Sequence, residues 1–215
     1  MMKTLTPILL VCLSVGLFSP ISSLAADPIR VMIIGGQNNH NWALSTPYMK
    51  ELLDWRNPKY GYSLYVDDQG QVVREAPGEG RGMGHGSQYD WMMTVRDAEH
   101  PVTEGMPTHW MHKHDELYHG QRGPAEDIHI LLTAFSDPAP NRRGTGKHEP
   151  IVWWVPYGEG RVLTNLMGHV GQLGCMQCVG FQVLLYRGCE WLATGQCQTP
   201  IPDNFPTAEA TSLNP

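Results

Sequence analysis

Past residue 25 the chain opens on Arg30-Val31-Met32-Ile33-Ile34, a near-unbroken β-branched and apolar run that stops at Gly35-Gly36. Such a run predicts a buried parallel strand feeding a loop, the usual start of an α/β domain. Thr46-Pro47 reads as a helix N-cap followed by proline at the first helical position, so a short helix is expected through about Leu53, ended by Asn57-Pro58. The pattern then turns β-like. Leu64 to Val66 and Gln71 to Arg74 flank Asp67-Asp68-Gln69-Gly70 and predict a hairpin. Trp91 to Val95 and Ile128 to Ala134 predict strands, the second buried. Ile151 to Val155 and Arg161 to Leu166 flank Pro156-Tyr157-Gly158-Glu159-Gly160 and predict a second hairpin. Met176, Val179, Val183, Leu184 and Trp191 recur at helical spacing and predict a closing helix. From Thr199 the chain is rich in proline and polar residues, so residues 199–215 are expected to be an extended or disordered tail.

The first 25 residues follow a different logic. Lys3 precedes an apolar stretch from Leu5 to Phe18, then Ser19-Pro20, then small residues at Ser23 and Ala25. This is the layout of a cleavable secretory signal peptide, and the stretch falls short of the roughly 20 apolar residues of a membrane span. Residues 1–25 are therefore set apart from the fold, and the mature protein is expected in the periplasm or secreted, with no membrane association after cleavage. Residues 26–198 are long enough for one domain with its own core.

Charge narrows the partners. Charged residues make up 17% of the chain, the net charge is −6, and Lys and Arg are scattered rather than clustered. That argues against nucleic acid or an anionic membrane and leaves small molecules as the expected ligand class. Cys175, Cys178, Cys189 and Cys197 lie beyond the signal segment. They admit up to two disulfides, whose pairing the sequence leaves open, or buried thiols; Cys175-Met176-Gln177-Cys178 lacks the second pair that a zinc ribbon would need.

Candidate chemistry gathers in loops at strand ends, where open α/β sheets place ligands. Gln37-Asn38-Asn39-His40-Asn41-Trp42 follows the opening strand; its amides can bond sugar hydroxyls or cap the next helix, and Trp42 can stack a sugar ring. In His112-Lys113-His114-Asp115-Glu116-Leu117-Tyr118, an extended chain would put His112, His114 and Glu116 on one face and Asp115 on the other. That face suits metal ligands or an acid/base set. His148-Glu149 stands just before a strand and Gly168-His169 just after one. His85 lies in a loop with five glycines, Pro77 to Ser87, with no element to hold it at a site. No dinucleotide-binding glycine fingerprint, phosphate-binding loop or nucleophile-elbow motif is present.

Taken in order and spacing, several of these segments resemble one family. They are Gly35-Gly36 to His40-Asn41-Trp42, His100 to Pro107, Asp115-Glu116-Leu117-Tyr118, Gly146 to Pro150, Gly158 to Val162, Gly168-His169 and Phe181 to Trp191. The chain resembles the trehalose-utilisation (ThuA-like) family of the class I glutamine amidotransferase-like superfamily. The resemblance implies a flavodoxin-like three-layer α/β sandwich with a mostly parallel sheet, without the amidotransferase cysteine, and a role in the catabolism of sugars, including keto-sugars and trehalose-type disaccharides. It implies a pocket at His40, Trp42, Asp115, Glu116, His148 and His169 and admits a divalent metal there; with the loop readings above, His40, Asp115, Glu116 and His169 are expected to carry catalysis and Asn39, Trp42, His148 and Glu149 to bind a carbohydrate. The reaction stays open among lyase, isomerase and hydrolase, with a non-catalytic sugar- or partner-binding protein as the alternative. One departure stands out. Leu52-Leu53-Asp54 runs directly into a segment that the family reaches only after several dozen further residues, so the sheet is expected to be incomplete near 52–56. Its opening strand would then pair with Ile128 to Ala134 or borrow a strand in a homo-oligomer.

Overall fold

The computed structural model describes residues 65–67, 69, 71–73, 84–120, 127–169 and 174–214. The expected opening strand, the first helix, and Asn39, His40 and Trp42 lie outside the described residues. Among the described residues nine strands follow in order: β1 (Tyr65–Val66), β2 (Val72–Val73), β3 (Gly84–His85), β4 (Tyr89–Val95), β5 (His109–Asp115), β6 (Tyr118–His119), β7 (His129–Phe135), β8 (His148–Tyr157) and β9 (Gly160–Asn165). Two helices close the chain, α1 (Gly174–Gln177) and α2 (Val179–Thr194). Seven strands form one sheet in the order β2-β1-β8-β7-β4-β5, with β9 also on β8, while β3 and β6 make a separate two-stranded ribbon.

Every ladder among the described residues is antiparallel. This overturns the expectation of a mostly parallel, flavodoxin-like sandwich. Parallel neighbours need a crossover of a dozen or more residues, usually a helix. Here β8 turns into β9 through Gly158-Glu159 alone, and the segments joining β4 to β5 and β7 to β8 reverse the chain without a helix. The expected signal misled for a definable reason. In β7, Leu131, Leu132, Thr133 and Ala134 are all buried, as are Glu149 to Trp153 in β8. A continuous apolar run reports coverage of both faces, which an antiparallel strand can also have; it carries no information on direction.

Both predicted hairpins form, β1 with β2 and β8 with β9. In β4 the pattern alternates: Tyr89, Trp91, Met93 and Val95 point inward, and Asp90, Met92 and Thr94 do not. Helix α2 lies against the sheet at Gly180, where a Cβ would come within 2.3 Å of the Trp110 ring, so only glycine allows this approach. Met93, Leu131, Leu132 and Ile151 are almost fully buried in the shared core, each contributing about 1.5–3 kcal/mol by leaving water.

The tail beyond Thr199 is fastened down. The Glu190 carboxylate accepts from the Gln198 and Thr199 amides, each at 2.9 Å. Phe205 is buried with its ring 5.4 Å from Trp110. The Met111 amide donates to Thr207 O at 2.8 Å. The tail thereby covers part of the outer edge of β5, where unpaired strand groups would otherwise face solvent.

Candidate active site: two adjacent carboxylates with opposite surroundings

The site grows out of an irregularity in β5. Tyr89 pairs with Asp115 and Trp91 with His112, so one step of two residues on β4 is matched by three on β5. This is a β-bulge, and His114 absorbs it with φ 32. Asp90 holds the bulge: its carboxylate accepts from the His114 amide at 2.9 Å and from Lys113 Nζ at 3.1 Å. In a regular strand residues three apart face opposite sides. The extra residue changes that parity, so His112 and Asp115 both turn inward, with His112 Nε2 2.8 Å from Asp115 Oδ2. The expected common face of His112, His114 and Glu116 therefore does not form. His112 is buried, His114 is 40% exposed beside Asp90, and Glu116 lies past the strand end.

Asp115 is fully buried and organises its surroundings. Its carboxylate accepts from the amides of Gly168 at 2.7 Å, His169 at 3.1 Å and Glu116 at 2.8 Å, besides His112. Burial alone would raise its pKa, but His112 and the Gly168 and His169 amides together hold it below the ordinary carboxylate range. Burial likewise works against a charged His112, yet the hydrogen bond to Asp115 and the nearby Cys178 sulfur prevail and push it up to about 9. Cys178, at the start of α2, is correspondingly held below the usual thiol value by His112, against its own burial. Among the described residues the cysteines are free thiols, Cys175, Cys178 and Cys189 being buried and Cys197 half-buried.

Glu116, the next residue, faces a different environment. Its Oε2 lies 3.0 Å from His169 Nδ1, 3.3 Å from His85 Nε2 and 3.4 Å from the Tyr118 hydroxyl. Its Oε1 has no hydrogen-bond partner among the described residues. Gly168 makes this meeting work. It adopts φ 95 with Phe181 against its α-carbon, and its amide and that of His169 both dock on Asp115. The His169 backbone is thus set by the sealed carboxylate while its ring meets the open one. Burial, then the charge and hydrogen bonding of Glu116, push the Tyr118 phenol up to about 12, so it stays a proton donor.

Of the residues expected from the sequence, Asp115, Glu116 and His169 come together. His148 and Glu149 sit at the start of β8: the buried Glu149 carboxylate accepts from Thr145 Oγ1 at 2.6 Å and the Gly120 amide at 3.1 Å, and so anchors the chain leaving β6. Two further residues at Glu116, His85 and Tyr118, have no local signal marking them as a pair. They are 33 positions apart and meet because β3 pairs with β6 in the register His85↔Tyr118. Among the described residues no group of three His, Cys, Asp or Glu is arranged to hold a metal ion. The imidazoles at Glu116 both approach its Oε2.

The antiparallel sheet with its closing helices defines the class, an α+β domain, and a carboxylate–imidazole cluster stands at the end of one strand. The sequence model described as trehalose utilisation (ThuA) matches residues 30–192, and the chain belongs to that family. Among solved structures it is similar to a ThuA-like protein of Parabacteroides merdae, 28% identical, with a TM-score of 0.78 over 87% of this chain and 98% of that one. It is also similar to a ThuA-like protein of Bacteroides uniformis, 17% identical, with a TM-score of 0.40 over 70% of this chain and 54% of that one. No curated protein matches the chain.

Proposed function

We propose that this protein is an extracytoplasmic carbohydrate enzyme that abstracts a proton beside the carbonyl of an oxidised, trehalose-type keto-sugar. Family membership supports the carbohydrate class. The observation that carries the chemistry is the Glu116–His169 pair, 3.0 Å apart and neither group fully sealed, with His169 placed by the buried Asp115. Glu116 is the base that takes the proton from carbon, through the oxygen that has no partner among the described residues. His169 holds the carboxylate and relays the proton. Lyase or isomerase chemistry fits this better than glycoside hydrolysis, which usually needs two carboxylates flanking the bond; the neighbouring carboxylate, Asp115, is sealed and fully bonded. Asn39 and Trp42, expected from the sequence to bind the sugar, and His40, expected to be catalytic, lie outside the described residues.

The test is to incubate the purified protein with trehalose and with its keto derivative in deuterated water and follow exchange and turnover by NMR. Turnover of the keto-sugar is expected, and Glu116→Gln should slow it by on the order of 10²–10⁴-fold. Binding without exchange or turnover would instead identify a non-catalytic sugar-binding protein. Export is tested separately: protein recovered from outside the cytoplasm should begin at Ala26 or Asp27, and an intact Met1 would sink the signal-peptide reading.

A further inference from the structure

The second imidazole at Glu116 has its own chemistry. His85 Nδ1 lies 3.0 Å from Gly86 O; a carbonyl only accepts, so Nδ1 carries a proton. The other ring nitrogen, Nε2, faces Glu116 Oε2 at 3.3 Å. A proton on Nε2 makes that contact a charge-assisted hydrogen bond in which the ring donates to the carboxylate. The ring is held from three sides: by the β3–β6 pairing, by the Tyr118 ring at 5.2 Å, and by the strand exit, where the Ser87 amide and hydroxyl donate to Arg142 O and Asn141 O. His85 is also the most exposed of the three groups, at 38% against 15% for His169 and 12% for Glu116. One carboxylate oxygen thus joins an inner imidazole to an outer one that faces solvent.

We propose that His85 is the general acid that protonates the departing oxygen of the substrate, which makes the reaction an elimination from an oxidised glycoside whose leaving group is a second sugar. This rests on the reading of Glu116 as base. Glu116 removes the proton beside the carbonyl, and the C–H electron pair forms a carbon–carbon double bond. The neighbouring C–O bond breaks with its electron pair on oxygen, and that oxygen takes the His85 proton. The products are an unsaturated keto-sugar and a free sugar, with no oxidant, reductant or water consumed. The outward position of His85 suits the half of a disaccharide that leaves.

The experiment compares wild type with His85→Gln on two keto-glycosides, one with a sugar leaving group and one with p-nitrophenolate, which leaves without protonation. Loss of a general acid predicts a fall of on the order of 10²–10⁴-fold in kcat/KM for the sugar leaving group and less than about tenfold for p-nitrophenolate. An equal loss on both substrates, or none on either, would overturn the role of His85 while leaving Glu116 as base intact. If the wild type releases neither leaving group, the reading of Glu116 fails and this one falls with it.

Discussion

Asp115 and Glu116 are neighbours in the chain and carry the same functional group, yet they work in opposite ways. Asp115 is fully buried and its two oxygens are occupied by His112 and three backbone amides. Glu116 keeps one oxygen without a partner among the described residues and offers the other to His169, His85 and Tyr118. A carboxylate with its hydrogen-bonding capacity filled and no water access can only hold structure. One with spare capacity at a partly exposed edge can exchange protons. The residue type does not decide the role; the number and placement of donors around it does.

The sharpest way to break this contrast is to remove each carboxylate in turn. Asp115→Ala leaves a buried imidazolium and three amides without their acceptor, which should cost about 3–5 kcal/mol, read as a lower denaturant midpoint. Glu116→Gln should slow turnover by on the order of 10²–10⁴-fold yet leave that midpoint within about 1 kcal/mol. If the two variants behave alike, the division into a sealed and an open carboxylate is wrong.

Gly168→Ala tests the joint between the two clusters. A Cβ there meets Phe181 at 2.9 Å on a backbone with φ 95, so stability should fall by about 1–3 kcal/mol. Because the His169 amide shares the Asp115 anchor, activity should fall more steeply than stability at temperatures where the variant stays folded. An active, merely less stable variant would uncouple His169 from Asp115.

Stability against pH should carry the signature of the sealed pair. His112 is raised from its ordinary 6.5 to about 9 by Asp115 and Cys178, against the opposing effect of burial. Its stabilisation is therefore complete below about 6.5 and is lost as pH rises through about 9. Asp115 is depressed below its ordinary 3.8, so its share is present above that value and is lost as pH falls through the lower folded value. Midpoints measured across pH should decline on both sides, and Asp115→Asn should flatten both limbs. A wild-type curve that rises between pH 7 and 9 would contradict the assignment.

The smallest effect is expected at His114. Asn tolerates positive φ, and the His114 side chain is 40% exposed, so His114→Asn should shift the midpoint by no more than about 0.5 kcal/mol and leave turnover unchanged. Loss of activity there would restore the idea that His112, His114 and Glu116 act together.

The locations of strands were largely legible. Period-two alternation marks Trp91 to Val95, and the turn residues around Gly158 mark the hairpin of β8 and β9. The motif segments also pointed to Asp115, Glu116 and His169, which the fold brings together. Strand direction was not legible in β7 and β8, because their unbroken apolar runs record only that both faces are covered. The facing of Asp115 was not legible either. One extra residue at His114 reverses the parity on which any face assignment depends, and the bulge is set by Asp90 from the neighbouring strand.

What the sequence by itself determined is local: where hydrophobic periodicity makes strands and a helix, where turns fall, and which segments carry ionisable groups. Tertiary structure alone decided that the strands run antiparallel, that Asp115 is sealed while Glu116 stays open, and that His85 from a glycine-rich loop stands beside Tyr118. The reason is that each of these depends on partners distant in the chain. A carboxylate's surroundings and a strand's direction are properties of pairing, and pairing is settled only when the whole sheet closes on its core.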